Sequence, residues 1–179
     1  MVNDVAANRE DNAMWKVVAE FRAGYVCMHA QGLPTTMQKN PAYKNVVREV
    51  GEFFRERLKK LNACGVSSDQ VVFDPGIGFG KTTAHNLELL RRLSELLELG
   101  RPLVIGTSRK SFLGKITARP IEDRIAATIA TNVLAYTHGA RIFRVHDAAP
   151  VHDALAIVAA TVQRPCPTTT PTNSTIQAT

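Results

Sequence analysis

Cysteine is scarce and scattered in this chain: Cys27, Cys64 and Cys166 are its only three, and no two form a Cys-x-x-Cys pair. That pattern argues against a disulfide framework and a thiolate zinc site, and it favours a reducing compartment with buried or inert thiols. No apolar run reaches the roughly 18 residues that a membrane span needs. No basic-then-apolar leader opens the sequence either. The expectation is therefore a cytoplasmic protein without a membrane partner. Dense Lys/Arg runs and aromatic residues interleaved with basic ones are missing too, which argues against nucleic acid as a partner. Positive charge is present but spread: the net charge of +6 suits an anionic small molecule.

With 179 residues, 45% hydrophobic and 21% charged, the chain has room for one domain with a substantial core. Its centre is Val71-Val72-Phe73-Asp74-Pro75-Gly76-Ile77-Gly78-Phe79-Gly80-Lys81-Thr82. Residues 71–73 read as a short strand buried on both faces. Asp74 then falls at its carboxyl end, where parallel sheets keep their ligand sites. A carboxylate just past an apolar strand needs a ligand or partner to offset its desolvation. The glycine loop is not a nucleotide P-loop, because Pro75 stands where the first glycine of that spacing belongs.

The elements alternate. Met14, Val17, Val18 and Phe21 predict a helix over 10–22 stopped by Gly24, and residues 25–29 a strand. Val47, Val50, Phe54, Leu58 and Leu61 give a helix over 42–63, ended by Gly65. Leu87, Leu90, Leu93 and Leu97 mark a further helix stopped by Gly100, and residues 102–107 a strand. A helix over 123–138, a strand over 141–145 and a helix over 151–162 complete the series. Strict alternation means a parallel sheet with helices outside. Polar groups near the carboxyl end of every strand favour a barrel rim over a doubly wound sheet with one switch point. The fold class is thus α/β of the TIM (βα)₈ barrel type, with only five strands. Residues 1–164 form the domain. Residues 165–179, with six Thr, three Pro and no charge, are expected to be disordered.

Several strand exits carry candidate ligands. Ser108-Arg109-Lys110 puts two cations where an anion or an electron-rich heterocycle could bind, and Lys110 is the better ligand because its ammonium is a movable point donor. A solvated loop is the plain alternative. Arg144 and His146 share one side of a strand, an arrangement that suits phosphate or diphosphate. Asn3, Asp74 and Lys110 on neighbouring strand ends can read the donor and acceptor edge of a flat heterocycle. A polar loop explains His29 and Gln31 about as well as a site does, and His85, His138 and His152 read as surface residues on helices.

Five motifs occur in order: Asn3-Asp4-Val5, Met28-His29-Ala30-Gln31-Gly32-Leu33-Pro34-Thr35-Thr36-Met37-Gln38, Asp74 to Lys81, Ser108-Arg109-Lys110-Ser111 and Arg144-Val145-His146-Asp147. Together they resemble bacterial dihydropteroate synthase over about residues 2–160, and specifically the C-terminal part of its barrel, from the end of strand four to helix eight. The resemblance implies condensation of 7,8-dihydropterin-6-ylmethyl diphosphate with 4-aminobenzoate, releasing diphosphate. It implies that Asn3, Asp74 and Lys110 hold the pterin and that Met28, Phe79 and Gly106 line its pocket. Arg144 and His146 would bind the leaving diphosphate, and Ser108 and Arg109 would lie near the aminobenzoate. Lys110, Arg144 and His146 are the catalytic candidates.

The same resemblance implies Mg²⁺, although the family's metal-binding asparagine has no counterpart here, and a homodimer through helices late in the barrel. Because the first three strands of the family pattern have no counterpart, the expected form is an N-terminally truncated barrel with two unpaired sheet edges. A pterin- or folate-binding module without synthase activity, of the methyl-transfer kind, is the alternative. The cations of the two late motifs favour the synthase, since only diphosphate chemistry needs them.

Overall fold

Alternation along the strands decides what faces the helices and what faces the site. A computed structural model of the chain describes residues 1–5, 7, 12–32, 37 and 39–162. Its order is β1 (Val2–Asp4), α1 (Ala13–Glu20), β2 (Tyr25–Met28), α2 (Val46–Ala63), β3 (Val71–Asp74), α3 (Thr83–Arg91), β4 (Val104–Ile105), α4 (Ser111–Thr117), α5 (Ile125–Thr137), β5 (Ile142–Phe143) and α6 (Ala148–Val162). All strand pairs are parallel: β1-β2-β3 form one sheet and β4-β5 a second. A parallel bridge between Phe73 and Leu103 joins the two. Each strand lies beside its successor in sequence, without the reversal that makes a switch point. The result is an incomplete, barrel-like α/β wall. Among the described residues it has five strands and does not close.

The outward row, Tyr25, Cys27, Val71, Phe73, Leu103 and Ile105, is buried under the helices in the main core. Phe73 stacks on Phe54 of α2 with ring centroids 4.3 Å apart, a contact whose truncation costs about 3–5 kcal/mol in comparable cores. The inward row is Val26, Val72 and Val104, with Ile142 packed against them. Register places Asn3 beside Val26 and Val26 beside Val72. Two residues further along, the period of the strand brings Met28, Asp74, Gly106 and Arg144 to the same inner side. That second layer is the floor of the site.

Local differences from the sequence reading have local causes. The helix predicted from residue 42 begins at Val46, because Asn45 Oδ1 caps the Arg48 N–H at 3.1 Å and Glu49 accepts the Lys44 and Asn45 N–H groups. On α1 the predicted stripe holds only in part: Val18 is buried as expected and Trp15 joins it, whereas Met14, Val17 and Phe21 are exposed. Trp15 wins the inner face because its indole N–H also finds the Tyr25 hydroxyl at 2.9 Å. The helix ends through Arg22 in the left-handed region, at φ 46°, and not through Gly24.

The leucine helix breaks at Arg92 into α3 and a 3₁₀ segment, Leu93–Leu99, closed by Gly100 at φ 68°. Helix α4 escaped the sequence reading. Its seven residues, with Gly114 among them, are too short to show a period, yet they bury Phe112 and Leu113. Cys27 is buried, and burial pushes its thiol up to about 12, in keeping with an inert cysteine. Among the described residues no helix is long and apolar enough to cross a membrane. Cys166, the 165–179 tail and residues 33–36 and 38 of the second motif lie outside the described residues.

Candidate functional site

The carboxyl ends of the strands enclose a cleft of about 240 Å³ lined by Asn3, Val5, Phe79, Gly106, Ser108, Lys110, Arg144, Val145 and His146. Its anchor is Asp74, only 1% exposed. Burying a carboxylate is costly unless both oxygens are satisfied, and here they are. Oδ1 accepts the Gly76 N–H at 2.8 Å, and Oδ2 accepts Arg144 Nη2 at 2.9 Å. Arg144 Nη1 donates to Asn3 Oδ1 at 2.8 Å, so one guanidinium ties the exits of β1, β3 and β5 together. Gly106 makes this approach feasible, because a Cβ there would lie 2.8 Å from Arg144 Nη2.

Lys110 forms the opposite wall, its ammonium 4.0 Å from the Phe79 ring centroid. Burial, and then the Arg144 charge, push its ammonium below the usual lysine range, with Asp74 pulling the other way. Ser108 is buried, and its Oγ lies 2.9 Å from His146 Nδ1 while accepting the His146 backbone N–H at 3.2 Å. Imidazole and hydroxyl therefore hold each other at the rim.

The predicted residues do not all converge. Met28 is fully buried beneath the cleft, register-paired with Asp74. Arg109 turns away: in the left-handed region at φ 57°, it points its guanidinium at Asp147, with Nη2 2.8 Å from Oδ1 and Nε 3.2 Å from Oδ2. The Asp147 carboxylate raises its pKa further. Two adjacent cations cannot face one small cleft without repulsion, and the carboxylate three residues past Arg144 takes the spare one.

Sequence reasoning missed Lys81 and weighed His29 only between a site and a polar loop. Lys81 is buried, its ammonium donating to the carbonyls of Gly76 at 3.1 Å and Phe79 at 3.0 Å, and meeting His29 Nδ1 at 2.9 Å. Burial lowers the lysine to about 7 and keeps His29 well below its usual value, hence neutral and able to accept. His29 is thus a core residue, edge-on to Phe53, and not a loop polar group. His138 is likewise half-buried, its Nδ1 against the Leu90 carbonyl, and the half-buried His85 completes a capping box with Thr82. The available signal was the lysine directly after a glycine-rich loop, where exposed carbonyls need a donor.

The magnesium expected from the resemblance finds no fitting ligand set. Among the described residues no three His, Cys, Asp or Glu side chains converge. Both Asp74 oxygens and Asn3 Oδ1 are engaged by N–H donors, and cations form much of the remaining wall.

Comparison with known proteins gives this geometry a context. A model of pterin binding enzymes matches residues 1–146. The dihydropteroate synthase of Haemophilus influenzae is 38% identical over 161 residues, which cover 90% of this chain and 58% of that protein. That of Neisseria meningitidis serogroup B is 40% identical, covering 88% and 56%. Among solved structures, dihydropteroate synthase from Stenotrophomonas maltophilia with active site-bound imidazole superposes with a TM-score of 0.88 at 42% identity, covering 93% of this chain and 63% of that one. The Xanthomonas albilineans enzyme in complex with 7,8-dihydropteroate gives 0.84 at 40% identity, covering 92% and 60%.

The chain spans a little under three-fifths of the length of these two curated relatives. One expectation is corrected. The likeness is not confined to a C-terminal part of the barrel, because the family match begins at residue 1 and takes in almost the whole chain. The opening residues, which read as the remnant of a strand, form β1, paired with β2 from Val2 to Asp4.

Proposed function

The chain belongs to the pterin-binding enzyme family, and on that premise we propose that it acts as a dihydropteroate synthase, joining 7,8-dihydropterin-6-ylmethyl diphosphate to 4-aminobenzoate. The observation that carries this reading is the cleft itself: a buried carboxylate flanked by an amide, with Lys110, Arg144 and His146 around the opening. Asp74 and Asn3 accept from the amino-pyrimidinone edge of the pterin, and Lys110 donates to its acceptors. Phe79 gives the ring an apolar wall, Met28 packs beneath the floor of the cleft, and Gly106 leaves room for the ring.

Arg144 and His146, with Lys110 behind them, face the diphosphate. The C–O bond at the pterin methylene breaks, its electron pair leaves with the diphosphate, and the charges of Arg144 and Lys110, with the His146 ring beside them, stabilise the developing charge. The amine of 4-aminobenzoate then attacks the methylene carbon and loses a proton. No side chain needs to act as a covalent nucleophile. Ser108 orients His146 and lies beside the aminobenzoate path. Arg109, bound to Asp147, supports that wall from outside the cleft.

In this reading residues 1–164 are the pterin-binding domain, and its βα units build a TIM-type barrel wall. The homodimer implied by the resemblance would use α5 and α6, where Leu134 and Ile157 are exposed apolar side chains. The test is diphosphate release by the purified full chain, given both substrates. Release that requires 4-aminobenzoate and is lost in Lys110→Ala supports the synthase. Pterin binding without release favours the pterin-binding module.

A further inference from the structure

We propose that Arg144, besides meeting the diphosphate, sets the specificity of the cleft. It occupies the heterocycle's own receptor, so that only a pterin bearing an anionic group can displace it at little cost. The inference rests on the pterin reading above.

Arg144 holds Asn3 Oδ1 and Asp74 Oδ2 with its two terminal nitrogens, at 2.8 and 2.9 Å. The other Asp74 oxygen is committed to the Gly76 N–H. A pterin presents to such acceptors a ring N–H and an exocyclic amino group on one carbon. That is the same planar N–C–N donor fork as a guanidinium. Each oxygen has a second lone pair, but Asp74 is buried with Arg144 seated on it, so entry of the heterocycle requires Arg144 to leave.

The side chain is free enough to do so. It is 43% exposed, whereas its carboxylate partner is 1% exposed. Leaving means giving up a charge-assisted pair with a buried carboxylate. A displaced guanidinium also meets Lys110 and the rim imidazole of His146, which offer it no negative charge. A diphosphate on the incoming ligand supplies that charge, and the same pterin without it does not. Discrimination therefore arises from an exchange of partners, with Asp74 passing from guanidinium to heterocycle as Arg144 passes from carboxylate to anion.

The test is a calorimetric titration of the wild-type chain and Arg144→Ala with two ligands, the dihydropterin diphosphate and the same dihydropterin bearing only a 6-hydroxymethyl group. The alanine variant is expected to bind the hydroxymethyl form about tenfold more tightly than wild type does, and the diphosphate more weakly. If the hydroxymethyl form binds no tighter to the variant, the proposal is overturned. Should Arg144→Ala not fold, Arg144→Lys serves, because it keeps a cation but loses the two-pronged grip, and the same direction of change is expected. Methylguanidinium separates this inference from the pterin reading. Added at millimolar concentration, it should raise the melting temperature of Arg144→Ala and leave wild type unchanged. That rescue without pterin binding would uphold the receptor and sink its pterin assignment. Absence of rescue would overturn the exchange itself.

Discussion

Replacing Lys81 by Met keeps the length of the side chain and removes its ammonium from the tightest polar knot in the molecule. Gly76 O keeps another donor, the Phe79 N–H at 3.0 Å. Phe79 O and His29 Nδ1 each lose a partner at 3.0 and 2.9 Å. Two buried acceptors left unmade cost about 1–3 kcal/mol each, partly offset because an ammonium no longer has to be desolvated, which leaves about 2–4 kcal/mol of destabilisation. The loss falls on the loop that presents Phe79 to Lys110 and the Gly76 N–H to Asp74. Urea unfolding gives the stability change, and hydrogen exchange at the Gly76, Gly78 and Phe79 amides locates it. A variant within about 0.5 kcal/mol of wild type, with those amides equally protected, would refute the reasoning.

Other consequences follow from the same geometry. Gly76→Ala should prevent native folding or abolish pterin binding, since φ is +64° there and a Cβ would sit 1.9 Å from the His29 carbonyl; circular dichroism and ligand titration check this. Stability should rise with pH on both sides of neutrality. His29 is held well below its unfolded value of 6.5 and Lys81 is lowered to about 7, so the unfolded chain binds more protons below pH 6.5 and again between about 7 and 10.5. Each group contributes up to about 1.4 kcal/mol per pH unit, and in urea titrations the rise of stability with pH in the upper window should be present in wild type and lost in Lys81→Met. Arg109→Ala should leave pterin binding within about twofold of wild type by calorimetry, because its guanidinium engages Asp147 outside the cleft.

Much of the candidate site is legible in the sequence. Period two predicts Arg144 and His146 on one side of a strand; the strand ends at Phe143, just before them, and both line the cleft. The apolar run into Asp74 foretells a buried carboxylate with a partner, and the partner is Arg144. What escaped depends on distance in space. Nothing in the local pattern separates Arg109 from Lys110, and only the fold reveals that Asp147 lies within reach of the first. Burial of His29 likewise depends on Lys81, fifty-two positions away, and on Phe53. On α1, periodicity found the helix and the buried Val18, but Trp15 takes the rest of the inner face from Met14, Val17 and Phe21. Short elements such as α4 carry too few residues for a period to register.

The central claim is that Asp74, Asn3 and Arg144 form one receptor for a pterin diphosphate. Calorimetric titration of the full chain with 7,8-dihydropterin-6-ylmethyl diphosphate, alongside Asp74→Asn, tests it most directly. The account predicts saturable binding of one ligand per chain, weakened about a hundredfold in Asp74→Asn, where the charge that pairs with the guanidinium and the heterocycle is gone. Failure of the wild-type chain to bind, or equal binding by the two proteins, would contradict it.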